Sequence, residues 1–176
     1  MAHVTLPEFE DMDPEIQEAA RPILEKTGAL GEIFKLLAIR KDIYFATDGM
    51  VQRYLLQETE LSYDIKESIA LLISKENGCK MCVDVHKNIA KMLGLSEARI
   101  EEILEGIDAM HSNDAEKELL RFCIRASQKD NYKILKEDVQ HLVSLGFSES
   151  QIIEAVAIVG YFNYINTLSN VFGLGQ

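Results

Sequence analysis

The sequence is short of proline, of cysteine and of basic residues, and each shortage excludes something. The three prolines, Pro7, Pro14 and Pro22, lie near the start, so beyond residue 22 no proline removes a backbone donor from a helix. The long stretches that follow repeat their apolar residues near every 3.6 positions, which predicts an all-α chain. Three cysteines, Cys79, Cys82 and Cys123, are too few and uneven for a secreted disulfide scaffold. Lys and Arg number 18 against 29 Asp and Glu, a net charge of −11 at pH 7. Nucleic acid and anionic membranes call for a basic footprint, and no sufficient Lys/Arg cluster is present. Residues 1–13 show no basic run followed by an apolar stretch, so the expectation is no signal peptide, a cytoplasmic protein and resting thiols.

What is present suffices for one compact domain. Of the 176 residues, 47% are hydrophobic, enough for a core that buries roughly two-thirds of the unfolded surface without disulfides or a structural metal. The chain divides into an N-terminal helical segment, 1–60, and a core, 61–176. Asp13-Pro14 opens a helix toward Gly28, with Pro22 as a kink or break. Helices over 29–38 and 41–59 follow. Asp64 with Glu67 resembles a capping box for a helix that Asn77-Gly78 stops. Further helices cover 79–93, 96–105, 115–127, 136–145 and 148–172. The last is apolar almost all round, but Glu154, Asn163 and Asn166 interrupt it, which favours a buried core or interface helix over a membrane span. Gly94-Leu95-Ser96-Glu97 and Gly146-Phe147-Ser148-Glu149 follow the same plan, and two stacked helical hairpins related by duplication are one reading. A common capping solution used twice is the other.

The segment from Asn77 to His86 carries the chemistry. On a helix Cys79, Cys82 and His86 fall at i, i+3 and i+7, on one face within two turns. Asn77-Gly78 places Cys79 at the helix N-terminus, where unpaired N–H groups and the helix dipole favour a thiolate. His86, one turn beyond Cys82, is in range to exchange a proton or hydrogen bond with it. A tight turn at Asn77-Gly78 folds the preceding helix back, so that Glu67 approaches the thiols as a general base. A zinc site built on Cys79, Cys82 and His86, with Cys123, His111, His141 or Glu67 as fourth ligand, is an alternative, as is an ordinary core role for the cysteines. Cys123 sits among Leu119, Leu120, Phe122 and Ile124 and reads as core. Tyr161, Phe162 and Tyr164 pack the core or an interface, or wall the thiol site.

The run from Glu67 through Asn77-Gly78-Cys79-Lys80-Met81-Cys82 to His86, followed by Leu93-Gly94-Leu95-Ser96, resembles the core of the AhpD-like alkylhydroperoxidase and carboxymuconolactone decarboxylase family. The terminal stretch from Tyr161-Phe162-Asn163-Tyr164 to Phe172-Gly173 resembles its long, peroxidase-related branch. The resemblance implies an all-helical fold with a duplicated hairpin unit, assembled as dimers, trimers or hexamers, working without cofactor or metal. It implies Cys82 as the attacking thiol, Cys79 as the resolving thiol, Glu67 as the base and His86 in the proton relay. Helix-end logic favours Cys79 as the more acidic thiol, whereas the resemblance names Cys82. AhpD proteins carry a further histidine before the second cysteine, where this sequence has Met81. The implied activity is reduction of alkyl hydroperoxides, or electron relay, through a Cys79–Cys82 dithiol, with a lipoyl-bearing protein as reductant. The rival functions are a carboxymuconolactone decarboxylase-like enzyme and a non-enzymatic zinc- or partner-binding module.

Overall fold

Helix starts are written into the sequence by side chains that accept from the first free N–H groups. In the computed structural model, which describes residues 2–57 and 59–175, Asp13 accepts from Glu15 N–H and opens α1 (Pro14–Thr27). The helix runs through Pro22 rather than breaking there. Next come α2 (Glu32–Ala38) and α3 (Lys41–Met50). The third helix ends nine residues short of the sequence expectation, because Val51–Leu55 winds into a wider π-helical turn. Then follow α4 (Tyr63–Glu76), α5 (Lys80–Met92), α6 (Glu97–Glu105), α7 (Asp114–Ser127), α8 (Lys136–Ser144) and α9 (Glu149–Val171). No strand occurs among the described residues, and the all-α expectation holds.

The start of α4 differs from the sequence reading. Ser62 Oγ accepts from Ile65 N–H, so Ser62, not Asp64, is the cap. Asp64 instead receives the guanidinium of Arg99 at 2.7 Å, and Glu67 faces inward. Ser96 and Ser148 do cap α6 and α9, accepting from Arg99 N–H and Gln151 N–H.

Helix α4 lies at the centre, packed by α5, α6, α7 and α9. Every residue from Lys66 to Ser74 is buried, which is why its sequence shows little amphipathic contrast. Lys66 is tolerated there because its Nζ donates to Gln57 O at 3.0 Å and pairs with Glu154 at 3.2 Å. Helix α9 is long and apolar enough to cross a membrane by length and composition. Half of its apolar window is nonetheless buried against its neighbours, as befits a core helix. A smaller apolar cluster, Met12, Ile16, Ala20, Leu30, Leu37 and Tyr44, holds α1, α2 and α3 together, and Ile33 packs against both clusters.

Candidate functional site

The turn between α4 and α5 sets the site. Gly78 adopts φ 64°, a conformation that favours glycine, and lets Cys79 N–H reach Ser74 O at 2.9 Å to close the end of α4. The chain leaves this turn with α5 running back along α4. Asn77 locks it to α9: its amide donates to Asn163 Oδ1 at 2.8 Å and Asn166 Oδ1 at 3.0 Å, while Asn170 donates to Asn77 O. Asn166 in turn donates to Ser74 Oγ.

Cys79 is the N-cap of α5, and its sulfur accepts from Cys82 N–H at 3.3 Å. The two sulfurs are bonded to each other at 2.05 Å. Glu67 and His86 meet at 2.8 Å between Oε2 and Nδ1, both buried. With the carboxylate ionised, Nδ1–H is the donor, which fixes the ring and leaves Nε2 as the second proton-handling atom. His86 therefore bonds Glu67 rather than Cys82. Phe162 supports the imidazole edge-on, with ring centroids 4.8 Å apart.

Cys82, Glu67 and His86 all line one cleft of about 100 Å³ with a mostly apolar wall. Cys79 is not part of that lining. The wall comes from far apart in the chain: Phe34 of α2, Val51 and Leu55 of the π-helical turn, and Tyr161 and Ile165 of α9. Of the three terminal aromatics, Tyr161 walls the thiol site, Phe162 backs it, and Tyr164 bonds Thr47. Burial raises the Tyr161 phenol well above its ordinary value, so it stays a neutral wall at physiological pH. Met81 also lines the cleft and is covered by the C-terminal turn, where a Cβ at Gly175 would stand 2.8 Å from Met81 Cβ.

The remaining candidates lie outside this grouping. Cys123 is buried in α7 and its thiol is pushed up to about 12 by desolvation. His111 bonds Glu102, and His141 stands 4.0 Å from Glu118. Among the described residues no group of three His, Cys, Asp or Glu is arranged to hold a metal ion. Sequence reasoning missed Ser169, whose hydroxyl stands 3.5 Å from Cys82 Sγ, and the contribution of the N-terminal segment to the cleft. No spacing signal pointed to either, since both depend on how distant segments pack.

Three solved structures share this architecture. A peroxidase-related protein from Ralstonia eutropha JMP134 with an alkylhydroperoxidase AhpD core is 20% identical with a TM-score of 0.90, covering 98% of this chain and 90% of its own. A peroxidase-related protein from Silicibacter sp. TM1040 is 22% identical with a TM-score of 0.88 and the same coverages. A cysteine-to-alanine variant of the debrominase Bmp8, in complex with 2,3,4-tribromopyrrole, is 19% identical with a TM-score of 0.81, over 99% of this chain and 92% of its own. At these identities the likeness is one of fold. The family model for the carboxymuconolactone decarboxylase family matches residues 46–125, the stretch that holds Glu67, Cys79, Cys82 and His86. That stretch is thus similar to the carboxymuconolactone decarboxylase family, and the chain folds as the AhpD-like proteins do.

Proposed function

We propose that the protein is a thiol-dependent antioxidant enzyme that reduces alkyl hydroperoxides, or relays electrons to another peroxidase, through Cys79 and Cys82. The observation that carries this reading is the Cys79–Cys82 bond, with Cys82 facing an apolar cleft beside the Glu67–His86 pair. In the reduced state the pair takes the Cys82 proton. The thiolate attacks the terminal oxygen of the hydroperoxide, an S–O bond forms as the O–O bond breaks, and the departing alkoxide takes a proton to leave as alcohol. Cys82 is then a sulfenic acid. Cys79 attacks its sulfur, water leaves with the hydroxyl oxygen, and the disulfide closes. The protein has given up two electrons to the peroxide. A dithiol, for which a lipoyl-bearing protein is the natural candidate, restores the thiols by exchange.

With Met81 beside Cys82, this relay has one histidine, His86. The apolar wall of the cleft favours organic hydroperoxides over hydrogen peroxide. The same wall supports a second reading, suggested by the tribromopyrrole complex of Bmp8: two thiols give two electrons and a proton to a bromine-bearing carbon, so that a C–H bond replaces C–Br, bromide and the second proton leave, and the same disulfide forms. Turnover separates the two. Cumene hydroperoxide is expected to be consumed with dihydrolipoamide as reductant and to be spared by Cys82→Ser. Consumption of a bromopyrrole alone would favour the second reading, and inertness toward both would remove the enzymatic one.

A further inference from the structure

Ser169 lies in the last turn of α9, is 1% exposed, and places its Oγ 3.5 Å from Cys82 Sγ. A helical serine or threonine ordinarily returns its hydroxyl to the carbonyl four residues back. Thr167, two positions earlier, does so, donating to Asn163 O at 2.7 Å. Ser169 does not. Among the described residues its hydroxyl has one partner, the sulfur of Cys82. That sulfur is bonded to Cys79 and carries no proton, so the hydroxyl is the donor.

The two sulfurs are thus served differently. Cys79 Sγ accepts a backbone N–H as the cap of α5, whereas Cys82 Sγ accepts a side-chain O–H from another helix. We propose that Ser169 is a catalytic group of this site, whose hydroxyl donates to the Cys82 thiolate and offsets the helix-end advantage of Cys79, so that the thiol facing the cleft is the one ionised for attack. The inference rests on the reading of Cys82 as the attacking thiol. A hydrogen bond donated to the charged form lowers a thiol's pKa, and with Ser169 and Cys82 both buried the loss of this donor is poorly made up by bulk solvent. Ser169 keeps its own proton throughout. The Cys82 proton leaves through His86 and Glu67.

The test is the pH profile of iodoacetamide alkylation on the reduced full-length protein, read by peptide mass. Cleavage after Lys80 separates Cys79 from Cys82, so each thiol reports on itself. In Ser169→Ala the Cys82 midpoint is expected to rise by about one pH unit, with alkylation about tenfold slower at neutral pH. The rates should converge with wild type above the new midpoint, and the Cys79 midpoint should stay in place. Ser169→Thr, which keeps the hydroxyl, should hold the wild-type midpoint, and the isosteric Ser169→Val should not. That pair carries the test if the alanine variant loses its fold. An unchanged or lowered Cys82 midpoint overturns the proposal, and so does a slowdown equal at every pH, which is the mark of a structural role. The readout needs no peroxide. A shifted midpoint in a protein inert to hydroperoxide removes the peroxidase reading alone, while peroxide-reactive Cys82 with an unshifted midpoint removes the role of Ser169 alone.

Discussion

A buried carboxylate is costly unless something meets it, and Glu67 is met by His86 at 2.8 Å. The pair lines the same cleft as Cys82, which is why it is read as the proton acceptor. Glu67→Gln keeps an oxygen for His86 Nδ1–H and removes the charge. The expected result is a rate of hydroperoxide-driven disulfide formation lower by about 100-fold, measured by acid quench and intact mass, with the melting temperature little changed. A loss below about threefold would mean that the pair is structural, since general-base help is worth far more. Cys123 makes the opposite case. Burial pushes its thiol up to about 12, so the folded state keeps the proton while the unfolded chain gives it up near pH 9. Stability is therefore full below about pH 9 and declines as pH rises above it. Oxidised wild type should lose about 1–2 kcal/mol more than Cys123→Ala between pH 7 and pH 10.5 in urea titrations, and parallel pH curves would contradict this.

At the scale of elements, the asparagine ladder on α9 fixes the turn that presents the cysteines. Asn77→Ala removes two amide donors and leaves Asn163 and Asn166 with unmet oxygens. A loss of about 1–3 kcal/mol in urea unfolding is expected, and a neutral result would show that the turn is held by its backbone alone. Scarcity of proline and helical periodicity made most helices legible, as did Ser96 and Ser148 at their starts. The motif turn was legible too, because Gly78 and a helix opening at Cys79 are local facts. Glu67 was read as part of a cap because its spacing from Asp64 fits one, yet Arg99, 35 residues on, claims Asp64 and turns the logic over. The π-helical turn was invisible, since its sequence continues a good helical pattern. Ser169 is 87 residues from Cys82, and no periodicity links them.

Over the whole molecule, two apolar clusters meet across Ile33, and the cleft forms at their junction. Ile33 and Phe34 of α2, outside the stretch that matches the family model, thus wall a site whose Glu67, Cys82 and His86 come from α4 and α5 and whose Ser169 comes from α9. The net charge of −11 sets the wider field, and under the proposed function an anionic dithiol is expected to reduce the protein more slowly than a neutral one at low salt. These arrangements converge on one claim, that Cys79 and Cys82 cycle between dithiol and disulfide in response to an organic hydroperoxide. Intact mass of the reduced protein after one equivalent of cumene hydroperoxide tests it most directly. The predicted result is loss of two hydrogens, mapped to a Cys79–Cys82 bond, reversed by dihydrolipoamide and absent in Cys82→Ser. An unchanged mass, or oxygen added without disulfide closure in the wild type, would contradict it.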